Sequence, residues 1–256
     1  MPVERYLPSE PLRPYLQHFL LIESPVAATN YVLPDTSLVL ALQYRGQVSQ
    51  LGSSSSQPIP AAALTGLQRT ARRLAYAPHT ATLLVIFRAL GAAVFFREPL
   101  HLLLGQSVAL ESLLPAAAVQ QLLERVALAP THQHRVMLVE QYLLTRLRPT
   151  PADALVRQTL HMIQAAHGNL TVRGLLAELP LNRDPLEKRF RSLVGTSPKQ
   201  WAAIVRLRHV LASAPTSPLT QTALAAGYFD QAHFNKDFRA FTGQAPKAFL
   251  ASAVYW

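Results

Sequence analysis

The sequence predicts an α+β protein in three segments, and three observations carry that prediction. Short runs of β-branched and aromatic residues, broken by Pro, Gly and Ser, fill residues 1–115. Apolar residues at helical spacing replace them over 116–151. From 152 to 256 the pattern is helical almost throughout, with capping residues between the segments. A chain of 256 residues, half of them apolar, can form two domains with buried cores.

Within the first segment, Tyr31–Leu33, Leu38–Tyr44 and Thr82–Phe87 are the clearest strand candidates, with Leu74–Tyr76 and Val94–Phe96 as further ones. Pro34-Asp35, Gly46, Gly52 with Ser53–Ser56, and Pro58/Pro60 punctuate them, as turns require.

Two helices are expected next. Ala116–Leu128 places Val119, Leu122, Leu123 and Val126 at helical spacing, and His132–Leu147 does the same with Val136, Val139, Tyr142 and Leu143. Pro130 separates them. Their apolar faces either pack on the β-rich domain or form a homodimer interface through residues 116–148; the pattern fits both. Arg148-Pro149-Thr150-Pro151 reads as a short stiff linker and sets the boundary before 152. Beyond it, seven helical segments are expected. Asp153–Ala166 stops at Gly168, Thr171 caps Val172–Leu179, and the others lie near 183–194, 198–213, 219–226, 230–242 and 246–253.

Composition narrows the function classes. The absence of cysteine excludes disulfide scaffolds, thiolate-ligated zinc and thiol nucleophiles, and fits a reducing, cytoplasmic setting. The longest apolar run, Thr82–Phe87, is far short of a bilayer span, and Arg5 followed by Pro8, Pro11 and Pro14 is unlike a secretory leader. A soluble, unprocessed chain with no membrane partner is expected. The net charge of +10 points to a polyanion. From Ala152 onward there are 12 Lys and Arg against 6 Asp and Glu, and all four lysines lie at or beyond Lys188.

Catalytic chemistry finds little support. His132-x-His134 with Glu140 is the best metal-like cluster, but i, i+2 spacing on a helix points the two rings apart, so no metal site is expected. The other histidines are scattered, and no phosphate-binding glycine loop or HExxH motif occurs. The chain is expected to be neither an enzyme nor a cofactor carrier. An enzyme with an unrecognised N-terminal site is the alternative from another class.

An internal repeat carries the functional reading. At an offset of 48, Leu186, Lys188, Phe190, Arg191, Gly195, Pro198, Lys199 and Trp201 match Phe234, Lys236, Phe238, Arg239, Gly243, Pro246, Lys247 and Phe249. Leu186, Phe190 and Leu193, like Phe234, Phe238 and Phe241, are spaced i, i+4, i+7 and face a core. The opposite face of the first helix carries Asp184, Glu187, Lys188 and Arg191. That of the second carries Asn235, Lys236 and Arg239, with Gln231 and His233 near its start. Gly195 and Gly243 suit left-handed helix stops, and Pro198 and Pro246 suit first turns. Each unit is thus a helix, a tight turn and a second helix: a helix-turn-helix, whose reading helix fits the major groove of double-stranded DNA. Gln and Asn can pair with adenine, and Lys with guanine. Lys199 and Lys247, near the starts of the following helices, are candidates for phosphate contacts. A module on the same scaffold that no longer reads DNA is the competing interpretation.

The region from about 153 to 252 resembles the DNA-binding domain of AraC-family transcriptional regulators. Gly227-Tyr228-Phe229-Asp230-Gln231-Ala232-His233-Phe234-Asn235-Lys236-Asp237-Phe238-Arg239, then Phe241-Thr242-Gly243-Gln244-Ala245-Pro246, follows that family's signature nearly throughout. Arg206-Leu207-Arg208 resembles the start of the helix joining the two units. The resemblance implies a seven-helix domain whose two recognition helices read neighbouring major-groove segments. The first unit departs from the pattern: Pro180 replaces a turn Gly and Leu176 a small residue, and Asn182-Arg183-Asp184-Pro185 opens its reading helix. Pro185 disfavours helical geometry at the residue before it, so Asp184 is expected as N-cap and the helix to start late. Arg183 then precedes the cap.

The N-terminal segment resembles an uncharacterised β-rich domain often fused to such DNA-binding domains. The match rests on Leu33-Pro34-Asp35, Thr65-Gly66-Leu67-Gln68, Ile86-Phe87-Arg88 with Gly91-Ala92, and Val108-x-Leu110-Glu111. It implies a sensor or dimerisation role, open to a small-molecule effector of unnamed identity.

Overall fold

Long strands whose alternation is interrupted at Leu16/His18 and Gln43/Arg45 build the N-terminal half. The computed structural model describes residues 1–52, 55–148, 153–170, 174–175, 183–213, 219–228 and 230–251. Ten strands precede the helices: β1 (Val3–Tyr6), β2 (Leu16–Ser24), β3 (Ala28–Val32), β4 (Val39–Arg45), β5 (Val48–Leu51), β6 (Ser56–Pro58), β7 (Ala62–Thr65), β8 (Arg72–Tyr76), β9 (Thr80–Phe87) and β10 (Ser107–Ala109). They form a six-stranded sheet ordered β1-β2-β9-β4-β7-β10 and a four-stranded sheet ordered β3-β8-β5-β6, with antiparallel pairing.

The large sheet is buried on both faces. On one, Phe19 pairs across from Val85 and Leu21 from Leu83, while Leu40 and Leu42 flank the same two β9 residues from the other side. With Phe87 they form one core with the helices α1 (Ala116–Leu128) and α2 (His132–Leu144). The residues between them point the other way, where Ile22 and Leu84 meet Val48, Leu74 and Tyr76 of the small sheet.

One sequence expectation changes here, and one open alternative narrows. Val94–Phe96 is no strand: Ala92–Val94 is a 3-10 turn. Phe95 and Phe96 are both buried, with ring centroids 5.7 and 6.2 Å from that of Phe87. Two consecutive side chains entering one core need a turn, because a strand would send them to opposite faces. The apolar faces of α1 and α2 are also committed internally. Val119, Leu122, Val126, Val136, Val139 and Leu143 are buried in the core, so the stripe that fitted a homodimer is used within the chain.

The helices that follow are α3 (Ala154–Ala165), α4 (Arg183–Val194), α5 (Pro198–Ser213), α6 (Leu219–Ala225), α7 (Gln231–Thr242) and α8 (Pro246–Ala251). The Pro149/Pro151 linker, the Thr171 cap, Leu176, Pro180, Asn182 and most of the expected 172–179 helix lie outside the described residues; Gly174 and Leu175 are helical. Among the described residues no helix is long and apolar enough to cross a membrane.

The two helical units rest on the N-terminal half differently. Phe190, Val194 and Trp201 belong to the same core as the large sheet, through Leu100 and Leu103 of the 3-10 turn Leu100–Leu103. Phe234, Phe238 and Phe249 belong to a separate core with Leu207, Val210, Ala223, Ala226 and Tyr228, which Leu33 joins from the N-terminal half. Two polar contacts accompany that second core. Arg208 of α5 pairs with Asp35, and the Ala71 N–H donates to the Phe241 carbonyl at 2.6 Å.

Candidate nucleic-acid interface

Each repeat unit folds as a helix, a tight turn and a second helix, and the turn chemistry explains why. Gly195 and Gly243 have φ of 96° and 76°, a left-handed geometry in which a Cβ is disfavoured. Pro198 and Pro246 each open the next helix, where the missing N–H had no intrahelical partner to lose. At the start of α7, Asp230 is the N-cap, its carboxylate accepting from the His233 N–H at 2.6 Å.

The start of α4 differs from expectation. The helix begins at Arg183, so Asp184 lies inside the first turn and the helix does not start late. The N–H that Pro185 lacks is one of the first four that no helix pairs internally, so proline there breaks no hydrogen bond. Asp184 also sits where the positive helix end favours a carboxylate.

The polar faces are exposed and distinct from the buried ones. On α4, Leu186 and Phe190 are buried while Asp184, Lys188 and Arg191 are exposed and Glu187 is half-buried. On α7, Phe234 and Phe238 are buried while Gln231, His233, Asn235, Lys236 and Arg239 are exposed. His233 is held in place, with Nε2 3.6 Å from the Asp237 carboxylate and its ring edge-on to Tyr228 at 5.3 Å. Lys199 is exposed on the first turn of α5. The side chains of Arg183 and Lys247 lie outside the described residues.

Edge-to-face aromatics fix the second reading helix. Phe234 meets Tyr228 and Phe238 at 5.3 Å each, and Phe238 meets Phe249 at 5.1 Å. Burial pushes the Tyr228 phenol up to about 12, so it stays neutral, and the Arg206 guanidinium lies 5.2 Å over its ring. The three residues opening the joining-helix motif thus have separate tasks: Arg206 covers Tyr228, Leu207 is buried in the second core, and Arg208 reaches Asp35.

Sequence reasoning missed Arg189, which is exposed and pairs with Asp153 at 3.7 Å, and the partnership of Asp35 with Arg208. Neither carries a local signal, because each joins residues far apart in the chain. The metal-like cluster disperses. His132 faces Glu4 at 3.2 Å and Glu23 at 3.5 Å, while Glu140 accepts from the Ser9 N–H at 2.6 Å.

Comparison with known proteins agrees with this geometry. Residues 175–252 match the family described as a helix-turn-helix domain. The C-terminal part is an AraC-type helix-turn-helix domain. Residues 4–109, preceding the AraC-type domain, match a domain of unknown function (DUF6597). A solved structure of ToxT from Vibrio cholerae aligns over 93% of this chain and 98% of its own, at 13% identity and a TM-score of 0.51. A second ToxT structure aligns over 91% and 96%, at 12% identity and 0.48. A third, of ToxT with bound unsaturated fatty acid, aligns over 92% and 95%, at 12% and 0.47. At such identities the likeness is one of fold: a β-rich N-terminal half followed by helices that end in the AraC-type domain. No curated protein matches the chain by sequence.

Proposed function

We propose that this protein is a cytoplasmic, sequence-specific DNA-binding regulator of transcription, whose N-terminal half takes a small-molecule effector. One observation carries the DNA reading: two copies of one helix-turn-helix unit, each burying an apolar face and exposing a polar one, charge-balanced on the first copy and net basic on the second. Gln231, His233, Asn235, Lys236 and Arg239 are the principal base-reading set. Arg183, Asp184, Glu187, Lys188 and Arg191 form the second set, weakened by its two carboxylates. Lys199 and Lys247 grip phosphate. The division into 1–115, 116–151 and 152–256 belongs to this proposal, with the first helix-turn-helix sharing its core with the N-terminal half. A homodimer through 116–148 would have to use the outer side of α1 and α2, where Leu128, Met137 and Leu144 are exposed.

Selection of bound DNA from a random pool, followed by footprinting, tests the proposal. Helix α5 has 16 residues and so spans roughly 24 Å; with the width of each unit added, the reading helices come near the ~34 Å of one DNA turn, which supports binding in successive major grooves on one DNA face. Two protected blocks about 10 base pairs apart are expected, and inserting about 5 base pairs should abolish joint binding. Lys236→Ala should cost about 1–3 kcal/mol on the selected site and relax one or two base preferences. Lys199→Ala should weaken all sequences alike and flatten the salt dependence by about one unit of slope. Failure to select any sequence would leave an interaction module on the same fold. Indifference to the half-turn insertion would leave one engaged unit.

A further inference from the structure

The two β-sheets do not close completely on each other. A cavity of about 390 Å³ remains between them, lined from the large sheet by alternate residues of β2, β4 and β9 and from the small sheet by Val48, Leu74 and Tyr76. Its wall is mostly aliphatic, including Leu20, Val39 and Ile86. A volume of this size, with few polar groups in apolar walls, is what small-molecule sites have.

Two polar side chains in that wall each bury an atom without a hydrogen-bond partner. Arg72 of β8 sends one guanidinium nitrogen to the Ser107 Oγ of β10 at 2.9 Å, but its Nε is shielded from solvent and unpaired. Among the described residues, no carboxylate stands within ion-pair distance of Arg72. Burial lowers its pKa to about 10, so it is still a cation at neutral pH. The Thr82 Oγ1 of β9 is likewise buried without a hydrogen bond. The contrast with Gln43 is informative. That side chain lines the same cavity, donates to the Ile59 and Pro60 carbonyls and accepts from the Val48 N–H. A charge drawn from water is costly unless it is paired, so this half-buried guanidinium, with no carboxylate to neutralise it and a largely aliphatic wall beside it, marks a place for an anion.

We propose that this cavity binds an organic monoanion with a compact apolar body, its carboxylate or sulfonate received by Arg72 and Thr82. The proposal deepens the effector reading above and rests on it for its regulatory consequence. Asp35 and Arg208 also line the cavity, so an occupant touches the ion pair that ties the helix joining the two DNA-binding units to the N-terminal half.

The test uses the full-length protein with 4-tert-butylbenzoate and its neutral amide, 4-tert-butylbenzamide, which share one body and differ in charge. Calorimetric titration should show the acid binding at least about tenfold more tightly than the amide, as a charge-assisted hydrogen bond requires. Arg72→Met should reduce that preference to less than about twofold, and Arg72→Lys should retain part of it. Without ligand, Arg72→Met should melt no lower than the parent, because it replaces a half-buried cation that no carboxylate neutralises with an apolar side chain. A melting temperature well below the parent's would mean that Arg72 serves the fold, and would overturn the proposal. So would equal affinity for acid and amide, or a preference that survives Arg72→Met. DNA affinity is measured separately, with and without saturating acid. Binding of the acid without any change in DNA affinity would refute the effector reading and leave the site standing.

Discussion

Phe190 and Phe238 occupy equivalent positions of the repeat and are both fully buried, yet their loss should have different consequences. Truncating a buried phenylalanine to alanine costs about 3–5 kcal/mol, depending on how far the surroundings collapse. Phe238 touches Phe234 at 5.3 Å and Phe249 at 5.1 Å, so its removal also breaks two aromatic contacts worth about 0.5–1.5 kcal/mol each. Its core is small and largely confined to the second unit. The loss is therefore comparable to the local stability, and α6 to α8 should open while the rest holds. Phe190 belongs to the core that runs through Leu100 and Leu103 into the large sheet. Phe190→Ala should thus loosen α4 and the Leu100–Leu103 turn together. Hydrogen exchange by mass spectrometry reads both outcomes. Phe238→Ala should lose protection over 219–251 with 116–144 unchanged, and Phe190→Ala should lose it over 183–213 and around 100–103. If Phe238→Ala loosened α1 and α2 as much as α7, or if Phe190→Ala left 100–103 untouched, the assignment of the units to two cores would be wrong.

Two further outcomes follow from the N-terminal half. Burial, and secondarily Arg5, whose guanidinium lies 3.2 Å from its Nδ1, lower the His18 pKa in the folded chain, so the unfolded chain takes up that proton more readily. Stability should be full above about pH 6.5 and fall as pH drops below it, and His18→Gln should flatten that slope in melting curves taken between pH 5 and 8. At Gly66 a Cβ would stand 2.0 Å from the Leu103 carbonyl oxygen, a backbone atom that cannot swing away. Gly66→Ala should therefore lower the melting temperature by several degrees, the shift that roughly 1–3 kcal/mol of overpacking brings.

Legibility in the sequence followed the range of each determinant. The bounds of α5, Pro198–Ser213, were readable because a proline opens it and neither Pro nor Gly interrupts it. The polar and apolar faces of α4 and α7 were readable from i, i+4 spacing alone. Strand β2 was not read at all, although it is the longest. Leu16–Ser24 mixes Gln17, His18 and Glu23 with apolar residues, and its alternation makes sense only once both sheet faces are known to be covered. Nothing in the local sequence sets Arg72 apart from its neighbour Arg73. Its special position arises from β8 facing β10 across the cavity, a juxtaposition of residues 35 apart that no local pattern encodes. Asp35 was noticed as part of a turn, but its partner lies 173 residues away.

The same division of contacts bears on how the two DNA-binding units are held. The first is fixed to the N-terminal half by apolar burial, through Val194 packed in the core with Leu100, and apolar contact is insensitive to salt. The second is tied by Leu33, one backbone hydrogen bond from Ala71, and the Asp35–Arg208 pair. That pair is partly solvated, with side chains 44% and 36% exposed, so it falls in the class worth about 0–1 kcal/mol and weakened by salt. Relative to the N-terminal body, the first unit is the anchored one and the second the adjustable one. Yet the second unit carries the reading face free of the acidic Asp184 and Glu187, on Gln231, Asn235, Lys236 and Arg239. Under the proposed function, the unit better equipped to read bases is therefore the one whose tether to the N-terminal half is weakest. A change at the Asp35–Arg208 pair should therefore affect the placement of α7 more than that of α4, whose apolar face stays in the core.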